Sequence, residues 1–381
     1  MQRLQRGLSL IELLIALVLG LAVLVGLSSV YVAAKQSFRF QETTGRLQED
    51  ATFGLDSMAR DLRMAGSAGC MGINKVTSPS VVYYPGSVLS SGSPNGFNGP
   101  NPLAQVETAN LEVTQQPFTA LNFVRGFDSG IPSNMGVSTT SPAPSAISDS
   151  LFFAGASSNG VSVSAPMLAA SNVPLAADAY KWKGSTTNSG VYTFIISDCL
   201  NSSIFNGKVT GSGPFSIDHS AALGNTVGGS LASGFGTNAI VQPAEWSFYY
   251  IATRSGASTP GLYRVFFNGN TRLNAEEMVS NVEAMKLNYG ENTGVDASGA
   301  PTLVADVWRT SAATVTDWSR VVAIRIGLMM VSSEDNANPE VTLTLPALLG
   351  QTYTKPTGAS ANRLRKEFST TVVMRNRVAA R

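Results

Sequence analysis

The chain opens with Met1 to Gly7, which include Arg3 and Arg6, and then becomes apolar with a single break at Glu12. From Leu13 to Ala34 there are 22 uncharged, mostly apolar residues, enough to cross the hydrocarbon core of a bilayer as a helix. Lys35 ends that run. Beyond it the pattern narrows to one apolar stripe, in which Leu47, Ala51, Leu55, Met58 and Leu62 recur at the spacing of an amphipathic helix. Gly66 and Gly69 punctuate its end. The periodicity predicts one continuous helix from Leu8 to about Ala65, roughly 85 Å long at 1.5 Å per residue. Asp56 and Arg60, one turn apart on its wet side, are spaced to pair.

Helical periodicity stops there. Between Ser67 and Asn238 the chain is rich in Gly, Ser, Pro and Asn, which predicts long surface loops, interrupted by strand-like runs at Ser150 to Ala154 and Tyr192 to Ser197. After Asn238 the strand pattern sharpens. Trp246 to Arg254 and Leu262 to Asn268 read as a hairpin, and Val279 to Tyr289 as one strand covered on one side. Arg320 to Val331 is the strongest strand, and Val341 to Leu345 and Phe368 to Arg375 complete the set. Antiparallel pairing of these runs against the helix stripe gives an α+β fold. The chain accordingly divides into a leader (1–7), a membrane half of the helix (8–34), an amphipathic half (35–65), a loop-rich β region (66–238) and an antiparallel sheet region (239–381).

Composition changes this picture in three ways. Charged residues make up 13% of the chain, about half the usual share for a soluble domain, and Gly (36) and Pro (18) are plentiful, the profile of an exported, β-rich surface protein. The formal net charge of +1 supplies no global field for nucleic acid, and no specific nucleic acid is expected as a partner. Arg3 and Arg6 hold the leader on the cytoplasmic side, so the chain after Lys35 is exported, first as a single-pass inner-membrane protein. The two cysteines, Cys70 and Cys199, then lie in an oxidising compartment and are expected to pair.

Candidate chemistry is sparse. His219 is the sole histidine, which leaves zinc short of ligands and gives a catalytic base no partners. Glu291 and Asn292 with Asp296, and Glu334, Asp335 and Asn336 with Asn338 and Glu340, offer oxygens without the spacing of a twelve-residue calcium loop, and read as solvated turns. Lys181-Trp182-Lys183 reads as a loop anchor. The C-terminal cations Arg363, Arg365, Lys366, Arg375, Arg377 and Arg381 form the basic cluster of the chain, read as a polar strand edge and tail facing a neighbouring subunit. No catalytic residue, metal or cofactor is expected.

Glu12 needs an explanation, because a carboxylate near the centre of a membrane helix costs about 2.5–3.5 kcal/mol on insertion scales. A cut after Gly7 would free an amino group on Leu8, and a neighbouring subunit's amino terminus would neutralise Glu12 inside an apolar bundle. Gly7-Leu8-Ser9-Leu10-Ile11-Glu12 resembles the class III signal of type IV prepilins and pseudopilins, with Leu8 where that family usually has Phe. An ordinary secretory signal has a shorter apolar region, and a plain anchor has no use for the second half of the helix. The resemblance implies cleavage after Gly7 by a prepilin peptidase, methylation of Leu8, and a role for Glu12 in setting register.

Further motifs narrow the resemblance to PilW-type minor pilins. They are Asp61-Leu62-Arg63, Gly69-Cys70, Gly261 to Arg264, Asn281 to Glu283 with Tyr289-Gly290, Trp318 with Val321 and Arg325, and Arg365, Phe368 to Val372 and Arg375 to Arg377. They cover the first 75 and last 140 residues, roughly, and leave the middle unassigned. The resemblance implies a type IV pilin-like fold and a subunit that helps start pilus assembly, near or at the tip. Its partners would be other minor pilins, the major pilin and a tip adhesin, in adhesion and twitching motility. A type II secretion pseudopilin of the J type, and a membrane-anchored module binding glycan or DNA, are the alternatives.

Overall fold

The computed structural model describes residues 10–68, short pieces of 71–87, and 124–128, 142–176, 182, 190–198, 201–211, 214–269, 274–295, 302–335 and 345–378, with small breaks inside several of these. Helix α1 (Leu10–Met64) is continuous over 55 residues, about 80 Å. It ends where Gly66 takes a positive φ of 76°, a left-handed conformation that glycine adopts without steric cost. The Gly66 N–H then donates to the Ala154 carbonyl at 2.8 Å, tying the helix exit to the sheet. The exposed ion pair on α1 is Glu42 with Arg46, at 2.7 Å. Asp56 and Arg60 do not form the expected pair, since two water-exposed side chains gain little by meeting.

Fourteen strands from Val124 onward, joined by the two-residue strand Gly86–Ser87, build the two main sheets. They are β1 (Val124–Phe127), β2 (Ser150–Ala156), β3 (Val161–Ser162), β4 (Val173–Leu175), β5 (Val191–Ser197), β6 (Ser202–Thr210) and β7 (Phe215–Asp218), followed by β8 (Ile240–Ala252), β9 (Gly261–Phe267), β10 (Glu276–Ser280), β11 (Val282–Glu291), β12 (Val307–Arg309), β13 (Val321–Val331) and β14 (Arg365–Val373). The larger sheet runs β10-β9-β8-β5-β6-β7-β4, with β2 and β3 also paired to β8, and β1 to β2. The smaller has the order β12-β11-β13-β14. Strand β8 is the hinge of the larger one: Ile240 to Pro243 pair with β5, whereas Trp246 to Ala252 pair with β9. It starts six residues before the aromatic run that announces it, at a stretch whose apolar content is ordinary.

The core lies where both sheets meet the second half of α1. Leu47, Ala51, Leu55, Met58 and Leu62 pack against Leu262 and Val279 from the larger sheet and against Met285, Leu287, Ile326 and Leu328 from the smaller. Contact is closest at Gly54, where an added Cβ would sit 3.1 Å from Val279 Cγ2. The opposite face of β8 carries a second aromatic core of Phe152, Trp246, Phe248 and Tyr250.

Two strand expectations need correction. Val279 to Tyr289 is two strands, not one, because Asn281 (φ 62°) breaks it and carries the chain from one sheet to the other; asparagine tolerates that left-handed geometry better than most residues. Nor is β11 covered on one side alone. Met285, Leu287 and Tyr289 face α1, while on the other face Ala284 clusters with its cross-strand partner Met329 and with Leu348 and Tyr353. Of Val341 to Leu345, only Leu345 is described, outside any strand.

Candidate assembly surface

Every side chain from Leu10 to Glu42 is exposed, so the first half of α1 stands free of the domain that its second half supports. Its most apolar stretch has a mean hydropathy of 2.8 with none of it buried. Water does not favour such a surface, which calls for lipid or other apolar helices around it. Glu12 lies in the first turn, where the helix dipole favours a carboxylate. Gly7 and Leu8 fall outside the described residues.

The free half is useful only if the domain is fixed to the other half, and two polar locks do this. Near the helix exit, Tyr249 Oη donates to Asp61 at 2.8 Å, and Arg264 bridges Asp61 (3.5 Å) to Glu276 (3.3 Å). Burial, with Asp61 beside it, keeps the Tyr249 phenol protonated well above its ordinary range. At the very end of α1, Asn376 Nδ2 donates to the carbonyls of Met64 (3.2 Å) and Ala65 (3.3 Å). These are acceptors that a helix terminus leaves without intrahelical partners. Asn376 thus caps helix α1 from the far end of the chain.

A separate polar cluster, without a partner on α1, lies inside the smaller sheet. Arg365 grips Glu283 through two hydrogen bonds of 2.6 and 2.9 Å, and Tyr353 Oη donates to the same carboxylate at 2.7 Å. Both charged side chains are under 4% exposed. Two further carboxyls show opposite behaviour. Burial lifts Asp149 to about 6, despite the Lys286 ammonium 2.7 Å away and the Leu287 N–H. Burial also raises Glu291, but donation from Thr316, Arg309 and the Asp317 N–H outweighs it and leaves that group below its usual range.

Several sequence candidates resolve differently from expectation. Glu291 is wholly buried against Arg309 and is no solvated turn. Arg365 is consumed by the buried Glu283 and Arg363 by the exposed Asp335, so neither cation is left as a free basic surface. Trp182, by contrast, is the loop anchor expected, packed on Phe194 with ring centroids 5.2 Å apart. His219 is buried, with Nε2 at 2.7 Å from the Ser171 carbonyl, and packs edge-on to Phe205. Among the described residues no group of three His, Cys, Asp or Glu could hold a metal ion. Cys70, Cys199, Asp296, Asn338 and Glu340 lie outside them. The pairings of Asp61, Tyr249 and Asn376 escaped the sequence reading, although Asp61 and Asn376 lie in its motifs, because the partners are 188 and more residues away. Glu283 left a clue, as a lone carboxylate inside a strand must find a cation.

Two family models match parts of this chain. Residues 2–28 match the family model of the prokaryotic N-terminal methylation motif, and residues 248–376 match that of PilW, the type IV pilus-assembly protein W. No curated protein matches. Among solved structures, a type IV-like pilin from Thermus thermophilus is similar at 14% identity over 49% of this chain and 85% of its own, with a TM-score of 0.20. A free apolar helix behind a prepilin motif, seated on antiparallel sheets, defines a type IV pilin-like protein. Within that class the PilW match over residues 248–376 makes the chain similar to PilW-type minor pilins of the type IV pilus.

Proposed function

We propose that this minor pilin loses its leader between Gly7 and Leu8 to a prepilin peptidase, is methylated at Leu8, and leaves the inner membrane to take part in initiating a type IV pilus. It stands at or near the tip with other minor pilins, above the major pilin and beneath an adhesin. The observation that carries this reading is the division of α1: an exposed apolar half and a half seated on two sheets. Its work is protein–protein contact. The PilW match is to a pilus-assembly family and to no enzyme.

The test is Glu12→Ala. In a lone anchor this change only relieves an insertion cost. In a filament subunit it leaves a neighbour's amino terminus unpaired in a low-dielectric bundle. The variant is expected to show Leu8 as its first residue by intact mass and normal membrane levels, yet to co-purify poorly with sheared pili. Equal incorporation of mutant and parent would remove Glu12 from assembly. Absence of the parent protein from pili, with Met1 retained, would defeat the proposal.

A further inference from the structure

Between the end of the apolar run at Ala34 and the seat of the domain at Leu47 lies a helical neck. It carries Lys35, Phe38, Arg39 and Phe40, all exposed, just after the exposed Tyr31. After Glu12 the next acid is Glu42, and that one pairs with Arg46. From Leu13 to Gln41, then, the helix bears positive charge and no negative charge.

We infer that Tyr31, Lys35, Phe38, Arg39 and Phe40 form a collar that binds the headgroup layer of an anionic phospholipid bilayer and fixes the subunit's depth before assembly. This rests on the membrane-spanning reading of Leu13 to Ala34. That segment is about 33 Å long against a hydrocarbon core of about 30 Å, so Lys35 leaves at the boundary. At 1.5 Å per residue Phe38 then stands about 6 Å and Phe40 about 9 Å beyond Ala34, within or at the edge of a headgroup layer about 5–8 Å deep. Tyr31 and the basic side chains are residue types that settle there, and Phe is among the apolar anchors of interfacial helices.

The angular placement selects lipid over a protein partner. Tyr31, Lys35 and Phe38 follow at steps of four and three along one side of the helix. Phe40 lies about 200° round from Phe38, on the other side. A partner helix would be met by one stripe. A lipid layer meets all sides at one height. Cations at that height face the negative surface of an anionic leaflet, where each one favours an anionic lipid by about fivefold.

The experiment uses the full chain in mixed phosphatidylglycerol and phosphatidylcholine vesicles, with p-benzoylphenylalanine placed singly at positions 24, 38, 40 and 53. Mass analysis after irradiation reads what each position captures. Positions 24, 38 and 40 are expected to yield lipid adducts and position 53, on the domain's outer face, none. At 38 and 40 phosphatidylglycerol should exceed its mole share severalfold, and Lys35→Gln with Arg39→Gln should bring it back to that share while position 24 is unchanged. Adducts at 24 without any at 38 and 40, unselective capture at 38 and 40, or capture of a second copy of the chain there would each overturn the collar. Loss of adducts at 24 as well would refute the span on which it rests. The collar's failure is thereby separable from failure of the pilin proposal, which is read from pili.

Discussion

Glu283 and Arg365 show at the level of single residues how a charge can sit inside a strand core. Each is almost wholly removed from water and each is the other's main partner. Arg365→Met alone strands a buried carboxylate and is expected to cost about 3–5 kcal/mol, whereas Glu283→Leu with Arg365→Met should cost far less. Denaturant midpoints of the single and double variants in detergent check this. Tyr289 gives a contrasting case. Its hydroxyl is buried with no hydrogen-bond partner among the described residues, so Tyr289→Phe is expected to be neutral or stabilising by about 1 kcal/mol. Gly126→Ala should do the reverse, because the new Cβ would fall 1.8 Å from that hydroxyl; overpacking of this kind costs about 1–3 kcal/mol or more. Combined with Tyr289→Phe, part of that loss should return. Asp149 supplies the pH dependence. Its carboxyl is raised from 3.8 to about 6 in the fold. Its contribution is therefore complete below pH 3.8 and is lost as pH rises through about 6, a change of about 3 kcal/mol. Glu291 has the opposite sign: its contribution is present above its ordinary value of 4.5 and fades as pH falls. Unfolding midpoints across this range should slope less between pH 4 and 6 in Asp149→Asn than in the parent, and an identical slope would exclude the Asp149 account.

The elements divide by how local their signals are. The stripe Leu47, Ala51, Leu55, Met58 and Leu62 was legible because a helix writes its buried face at a fixed spacing, and those five residues are the ones that meet the sheets. Strand β13 was legible for a similar reason, since a strand buried on both faces is a continuous apolar run. Strand β6 was not. Ser202 to Thr210 contains Ser, Asn, Gly and Lys, and it earns its place through pairing with β5 over seven residues, from Val191–Lys208 to Ser197–Ser202. Long-range ladders of this kind leave no periodic trace in one strand read alone. The break at Asn281 was hidden for the converse reason. Both flanking runs, Glu276 to Ser280 and Val282 to Glu291, are good strands, and one backbone conformation separates them. The apolar half of α1 was legible because it depends on composition, whereas the pairings of Asp61, Tyr249 and Asn376 depend on distant partners and were not.

At the scale of the whole molecule, the loop-rich middle and the sheet half are joined. Ser67 and Ala68, just after α1, lie against β5, which leads towards Cys199. Cys70 follows two residues after Ala68. A Cys70–Cys199 bridge would close a loop of roughly 130 residues, for which chain-entropy arguments give about 4–5 kcal/mol. Non-reducing mass analysis of protein made in the periplasm should show one intramolecular bridge, and two free thiols or a covalent dimer would contradict it. The seating of α1 has a mechanical side too. A filament under tension pulls on its helices along their axes, while the load it holds is borne by the domains outside. Here the contacts between helix and domain are strung along the helix, from Leu47 through Gly54 and Met58 to the Asp61 network and the Asn376 cap. An axial pull therefore shears all of them at once, with no end from which they can be peeled singly. A subunit held this way should let go of its neighbours in the bundle before it lets go of its own domain.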